Sequence, residues 1–115
     1  MIKVKIFRDE SDYMKKYTIS GHANFDNYGR DIVCAAISVL SQTTLLSLVK
    51  VCGLKEESID YSINDETGFL DVNLPENIKQ PILKNTQIVL NTLIVGINSV
   101  IESYPGYVTL LDREV

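Results

Sequence analysis

A chain of 115 residues has the size of one ordinary domain, and its 45% apolar and 23% charged residues suffice for a single buried core. The net charge of −4 argues against a nucleic-acid binder, which needs a basic stripe to neutralise phosphates, and is compatible with a basic partner. Two cysteines are too few for a disulfide scaffold, and two cysteines, one histidine and no CxxC spacing do not make a structural zinc site.

Ile2, Val4 and Ile6 alternate with Lys3 and Lys5, which predicts a half-buried strand over 2–8. The same alternation lacks the apolar run and small-residue cleavage site of a signal peptide. A polar turn over 8–12 leads to a second strand over 13–20, and the short connection favours an antiparallel hairpin. Gly21 opens an irregular stretch, His22 to Arg30, rich in the turn formers Asn24, Asp26, Asn27 and Gly29. Phe25 and Tyr28 within it have two readings, a lid over a site or plain packing.

Asp31 is a good N-cap for a helix that begins at Ile32, continues to Val51, is apolar over a wide arc and ends before Gly53. Residues 58–63 and 69–74 alternate on either side of Asn64 to Gly68, a second hairpin. Apolar residues from Ile82 to Ile101 recur at helical spacing, with either Pro75 or Pro81 at the entry and Pro105-Gly106 beyond the end. Tyr107 to Leu111 forms a last short strand. The expected fold is α+β, one domain over 1–115 of order β-β-α-β-β-α-β, with a mainly antiparallel sheet packed against two long helices. Ser, Thr, Asn and Gln interrupt the apolar stretches, so none is expected to span a bilayer, and the chain reads as a cytoplasmic protein that engages neither membrane nor nucleic acid.

The chemistry concentrates between the second strand and the first helix. Cys34 is the third residue after the cap, where unsatisfied amides carry partial positive charge and favour a thiolate. His22, the one histidine, follows a strand directly beside Gly21. A thiolate nucleophile and an imidazole to protonate a leaving amine are what a cysteine peptidase needs. The alternatives are a buried apolar cysteine, the commoner fate and the one that fits Cys52, and a merely structural histidine. If both cysteines belong to one helix they lie 18 residues, about 27 Å, apart, too far for a disulfide. Asp31 is read first as the cap and second as a carboxylate orienting His22. Ser38, one turn after Cys34, is a candidate support on the same face.

Gly21-His22-Ala23 followed by Gly29-Arg30-Asp31-Ile32-Val33-Cys34-Ala35-Ala36-Ile37-Ser38 closely resembles the ribosomal-processing cysteine protease family, Prp. The resemblance extends to the opening strand, the hairpin near Gly68 and the tail Tyr104-Pro105-Gly106-Tyr107-Val108, so it spans essentially the whole chain. It implies an intracellular bacterial enzyme that uses no cofactor, is usually a homodimer, and removes the short N-terminal extension of large-ribosomal-subunit protein twenty-seven, a basic substrate. The resemblance puts the nucleophile on Cys34, the histidine on His22, and the family's acid and serine positions on Asp31 and Ser38. A lid loop carrying Phe25 and Tyr28, with Gly21 and Gly29 as hinges, would then close over an extended peptide. Three other readings share these residues: a non-catalytic ribosome-assembly module, a thiol enzyme acting on another substrate, and a redox sensor lacking a nearby resolving thiol.

Overall fold

Period-two and period-3.6 apolar patterns leave each element one face to bury, and the observed architecture joins those faces in one core. The structure, a computed structural model, describes residues 1–27 and 30–114. In chain order it comprises β1 (Ile2–Arg8), β2 (Met14–Ser20), α1 (Ile32–Lys50), β3 (Asp60–Asn64), β4 (Phe69–Asn73), α2 (Ile82–Ser103) and β5 (Val108–Glu114), with one 3-10 turn at Glu56–Ser58. This is the expected α+β order. The sheet runs β3-β4-β2-β1-β5, and every neighbouring pair is antiparallel except β1 with β5.

Register carries single apolar rows across the sheet. Ile63, Leu70, Ile19, Val4 and Leu110 pair in turn from β3 to β5. Tyr61, Val72, Tyr17 and Ile6 make the next row from β3 to β1. The inner members Leu70, Ile19, Val4, Val72, Tyr17 and Ile6 are buried and form one cluster with Val33, Ile37, Leu45 and Leu48 of α1 and Leu90, Leu93 and Ile97 of α2. Each fully buried side chain of this size contributes about 1.5–3 kcal/mol by leaving water. All five residues of β3 are exposed, so its apolar members Tyr61 and Ile63 extend the row as an uncovered shelf.

Chain ends and turns follow local chemistry. Asp9 Oδ1 accepts from the Ser11 and Tyr13 amides at 2.9 and 3.0 Å, which shapes the β1–β2 turn. Gly53, at φ +84°, closes α1 as expected, its amide and that of Leu54 folding back on the carbonyls of Val49 and Leu48. Pro81, not Pro75, stands at the entry of α2 as its N-cap.

One expectation is corrected here. Ile32–Lys50, of mean hydropathy 2.0 over its most apolar window, is long and apolar enough by length and composition to cross a bilayer. Ser, Thr and Gln lower its hydropathy too little to prevent that. In this fold the helix instead buries Val33, Ile37, Ser41, Thr44, Leu45 and Leu48 inside the domain.

Candidate active site

Three segments meet around a cleft of about 600 Å³. Cys34, Ala35, Ser38 and Gln42 come from α1, His22, Asn24 and Asp26 from the loop after β2, and Ile63, Gly68 and Leu70 from the β3–β4 hairpin. Ile2 and Ile19 of the sheet also line it, as does Asp31 at the start of α1. The volume falls in the usual range for small-molecule and peptide sites. The structure therefore brings Cys34, His22, Asp31 and Ser38 to one cleft, as their sequence pattern suggested.

Asp31 is the N-cap of α1, in extended conformation at φ −80° and ψ 101°. Its Oδ1 accepts from the Val33 and Cys34 amides, both at 3.0 Å. Its Oδ2 accepts from the amides of Phe25 at 2.8 Å and Asp26 at 3.4 Å. One buried carboxylate thus joins the helix start to the loop that follows His22. Burial raises the Asp31 carboxyl, but the amides of Cys34, Phe25 and Asp26 and the Cys34 thiol outweigh it and hold the group below its ordinary value.

Cys34 is half-buried, and its sulfur accepts from the Ala23 amide at 3.2 Å. The thiol lies above its ordinary value, chiefly because burial disfavours the thiolate, with the Asp31 charge and hydrogen bond adding to the rise. This reverses the expectation of a helix-start thiolate. The first-turn amides that would have stabilised it are already bonded to the Asp31 carboxylate, whose negative charge stands beside the sulfur.

His22 Nε2 lies 2.9 Å from the Glu66 carbonyl oxygen. A carbonyl only accepts, so Nε2 carries the proton and Nδ1 is left as the basic nitrogen. The hairpin is shaped for this contact: Asn64 Oδ1 accepts from the Glu66 and Thr67 amides at 3.1 and 3.3 Å. Gly68, at φ +66°, packs so closely that a Cβ there would overlap the Gly21 carbonyl oxygen and lie 3.2 Å from His22 Cε1. Gly21, at φ +87°, is itself packed against the Met1 carbonyl. Asp31 engages backbone amides and the thiol, and the group that orients His22 is the Glu66 carbonyl, a backbone atom with no side-chain signature in the sequence.

Phe25 takes the packing reading. Its ring stands edge-to-face on Tyr104 and Tyr107, with centroids 5.4 and 5.1 Å apart, and it does not line the cleft. Tyr28 and Gly29, the other expected lid residues, lie outside the described residues. Ser38 lines the cleft with its Oγ accepting from Gln42 Nε2 at 2.9 Å. Cys52 is a buried free thiol beyond the far end of α1.

A family model described as Cysteine protease Prp matches residues 1–109. The ribosomal processing cysteine protease Prp of Bacillus subtilis is 24% identical over 104 residues, covering 90% of this chain and 90% of that protein. Its namesake from Staphylococcus aureus is 26% identical over 104 residues, covering 90% and 92%. A crystal structure of the Staphylococcus aureus ribosomal processing protease Prp with a covalently linked product peptide matches with a TM-score of 0.81 at 25% identity, over 98% of this chain and 100% of that one. SMU.848 from Streptococcus mutans shares the fold with a TM-score of 0.78 at 24% identity, over 98% and 94% of the two chains.

Proposed function

The chain belongs to the cysteine protease Prp family and is a cysteine protease, and from that premise we propose that it removes the short N-terminal extension of large-ribosomal-subunit protein twenty-seven, with Cys34 as nucleophile and His22 as base and acid. The observation that carries the assignment is that both side chains line one cleft, beside the capped start of α1. The net charge of −4 suits a basic ribosomal protein as substrate. In Staphylococcus aureus the related protease holds a covalently linked product peptide.

The reaction follows from the groups present. His22 Nδ1 takes the Cys34 proton as the peptide enters, and the thiolate attacks the scissile carbonyl. His22 returns that proton to the leaving amine, and a thioester remains on Cys34. Water, activated by the same nitrogen, resolves it to a carboxylic acid and the free thiol. Burial and the Asp31 charge both disfavour the thiolate at Cys34, so the proton acceptor His22 is needed for attack. The exposed apolar side chain of Ile63, at the cleft, suits apolar residues of an extended peptide.

The enzyme acts in the bacterial cytoplasm as a homodimer. The exposed apolar residues Val39 and Leu46 of α1 and Ile88 and Val95 of α2 support the dimer.

The test is a cleavage assay with the extended ribosomal protein, reading products by mass for wild type, Cys34→Ala and His22→Ala. Loss of the extension with wild type alone is expected. Equal cleavage by Cys34→Ala would reject the mechanism. A folded, reduced wild type that binds the precursor without cutting it would favour the non-catalytic assembly module.

A further inference from the structure

A tetrahedral intermediate on Cys34 needs donors for its oxygen, and the usual source, the amides of the helix start, is taken. The Val33 and Cys34 amides donate to Asp31 Oδ1, and the Ala35 amide donates to the Asp31 carbonyl at 3.0 Å. Meanwhile the Ala23 amide points at Sγ from 3.2 Å, and the amide of Asn24 follows it directly in the chain. Asn24 has φ +56°, a left-handed conformation of the kind from which backbone anion-binding concavities are built. Asn24 also lines the cleft.

We propose that the backbone amides of Ala23 and Asn24, on the loop directly after His22, form the oxyanion hole of this protease. The inference rests on Cys34 being the nucleophile. Attack forms the S–C bond and moves the carbonyl electron pair onto oxygen. That oxygen is joined to the carbon bonded to sulfur, so the Ala23 amide, already aimed at Sγ, can shift its hydrogen bond to it as charge develops, with the neighbouring Asn24 amide as second donor. Collapse restores the carbonyl and expels the amine, which takes the proton held by His22. The Ala23 methyl is buried in the core, and Asp31 holds the Phe25 amide two residues on. The two donors are therefore fixed on both sides before substrate arrives, as preorganised stabilisation requires.

The test replaces one amide by an ester without altering the side chain: L-lactic acid for Ala23, and separately the α-hydroxy analogue of asparagine for Asn24. Alkylation is read at a pH where the thiol is fully ionised, and kcat and KM at neutral pH, where His22 can carry the proton that the leaving amine takes. The readouts are kcat and KM on the extended precursor, affinity for a peptide aldehyde that forms a hemithioacetal on Cys34, and the rate of alkylation by iodoacetamide. Losing one such donor is expected to lower kcat by about 100-fold or more. Aldehyde affinity should fall in parallel, with KM and alkylation near wild type. Wild-type kcat and aldehyde affinity in a folded ester variant at both positions would overturn the inference. So would an alkylation rate that falls as far as kcat, since the amides would then serve only the sulfur. If the Ala23 ester does not fold, the Asn24 ester decides. A wild type that cleaves nothing sinks the proposed function itself, a result distinct from an active wild type matched by its esters.

Discussion

The Asp31 carboxylate faces two ways, one oxygen on the helix start and the other on the loop. Its negative charge also helps hold the Cys34 thiol above its ordinary value, after burial. Alkylation of Cys34 by iodoacetamide should therefore rise with pH through a midpoint above the free-cysteine value of about 8.5. Asp31→Asn should lower that midpoint, because it removes the charge, and should lower turnover, because the loop loses its tether. A midpoint unmoved by Asp31→Asn would show that burial alone sets the thiol. Asp31 also leaves a mark on stability. A carboxyl whose folded value is depressed stabilises the fold fully above its unfolded value of about 3.9, and that contribution is lost as pH falls through the folded value. Urea midpoints between pH 2 and 5 should fall less steeply for Asp31→Asn than for wild type. At Gly68, alanine meets both a left-handed backbone and the Gly21 carbonyl beside His22. Gly68→Ala should cost about 1–3 kcal/mol of stability and, by displacing the imidazole, on the order of 100-fold in kcat. Wild-type kinetics would show that the hairpin does not position His22. At this scale the sequence was legible wherever a side chain marks the cleft: a cysteine three residues after an acidic cap and a histidine after a strand both line it. It was silent on the Glu66 carbonyl and the Ala23 amide, because every residue has a carbonyl and nearly every one an amide. It misjudged the thiol because a cap that accepts the first-turn amides also places a negative charge beside the sulfur.

Between elements, the buried hydroxyl of Tyr17 on β2 donates to the Ser41 carbonyl of α1 at 2.9 Å, tying the sheet to the helix that carries Cys34. Burial pushes the Tyr17 phenol far above its ordinary value. A group whose folded value is raised gives its full stabilisation below the unfolded value, about 10, and loses it as pH climbs beyond. Thermal melts of the wild type should therefore fall steeply above about pH 10, and Tyr17→Phe should flatten that limb at a cost of about 1 kcal/mol at neutral pH. Identical alkaline limbs would remove Tyr17 from the account. The elements themselves were readable from periodicity, since β1, β2, β4 and α2 each bury a single regular face. Their neighbours were not. β5 pairs parallel with β1 and not with an antiparallel partner, a choice made by the crossover of α2 and by Ile2 meeting Val108 across more than 100 residues of chain. The packing of Phe25 on Tyr104 and Tyr107 was hidden for the same reason, because the partners lie at the far end of the sequence.

For the molecule as a whole, the sheet buries its apolar rows against the inner faces of α1 and α2, while both helices keep apolar residues on the outside. Val39, Leu46, Ile88 and Val95 are each more than half exposed, and Val39 and Val95 reach 65%. A groove of about 270 Å³ between the helices, lined by Val39, Leu40, Val89 and Leu93 among others, adds concave apolar surface to this side. Such a face is what two copies would bury in a stable interface, which typically removes at least about 1,000 Å² from water. The proposed dimer places this surface at the contact. Val95→Glu tests that arrangement with little risk to the fold, because exposed substitutions usually change monomer stability by no more than about 0.5 kcal/mol. Sedimentation of wild type is expected to give twice the 12.9 kDa chain mass, with a melting temperature that rises with protein concentration. The Val95→Glu protein should sediment as a single chain, with a melting temperature independent of concentration. A wild type that sediments as a single chain at all concentrations would reject the dimer. A dimeric Val95→Glu protein would instead move the interface away from the helices, to a surface such as the open edge of β3.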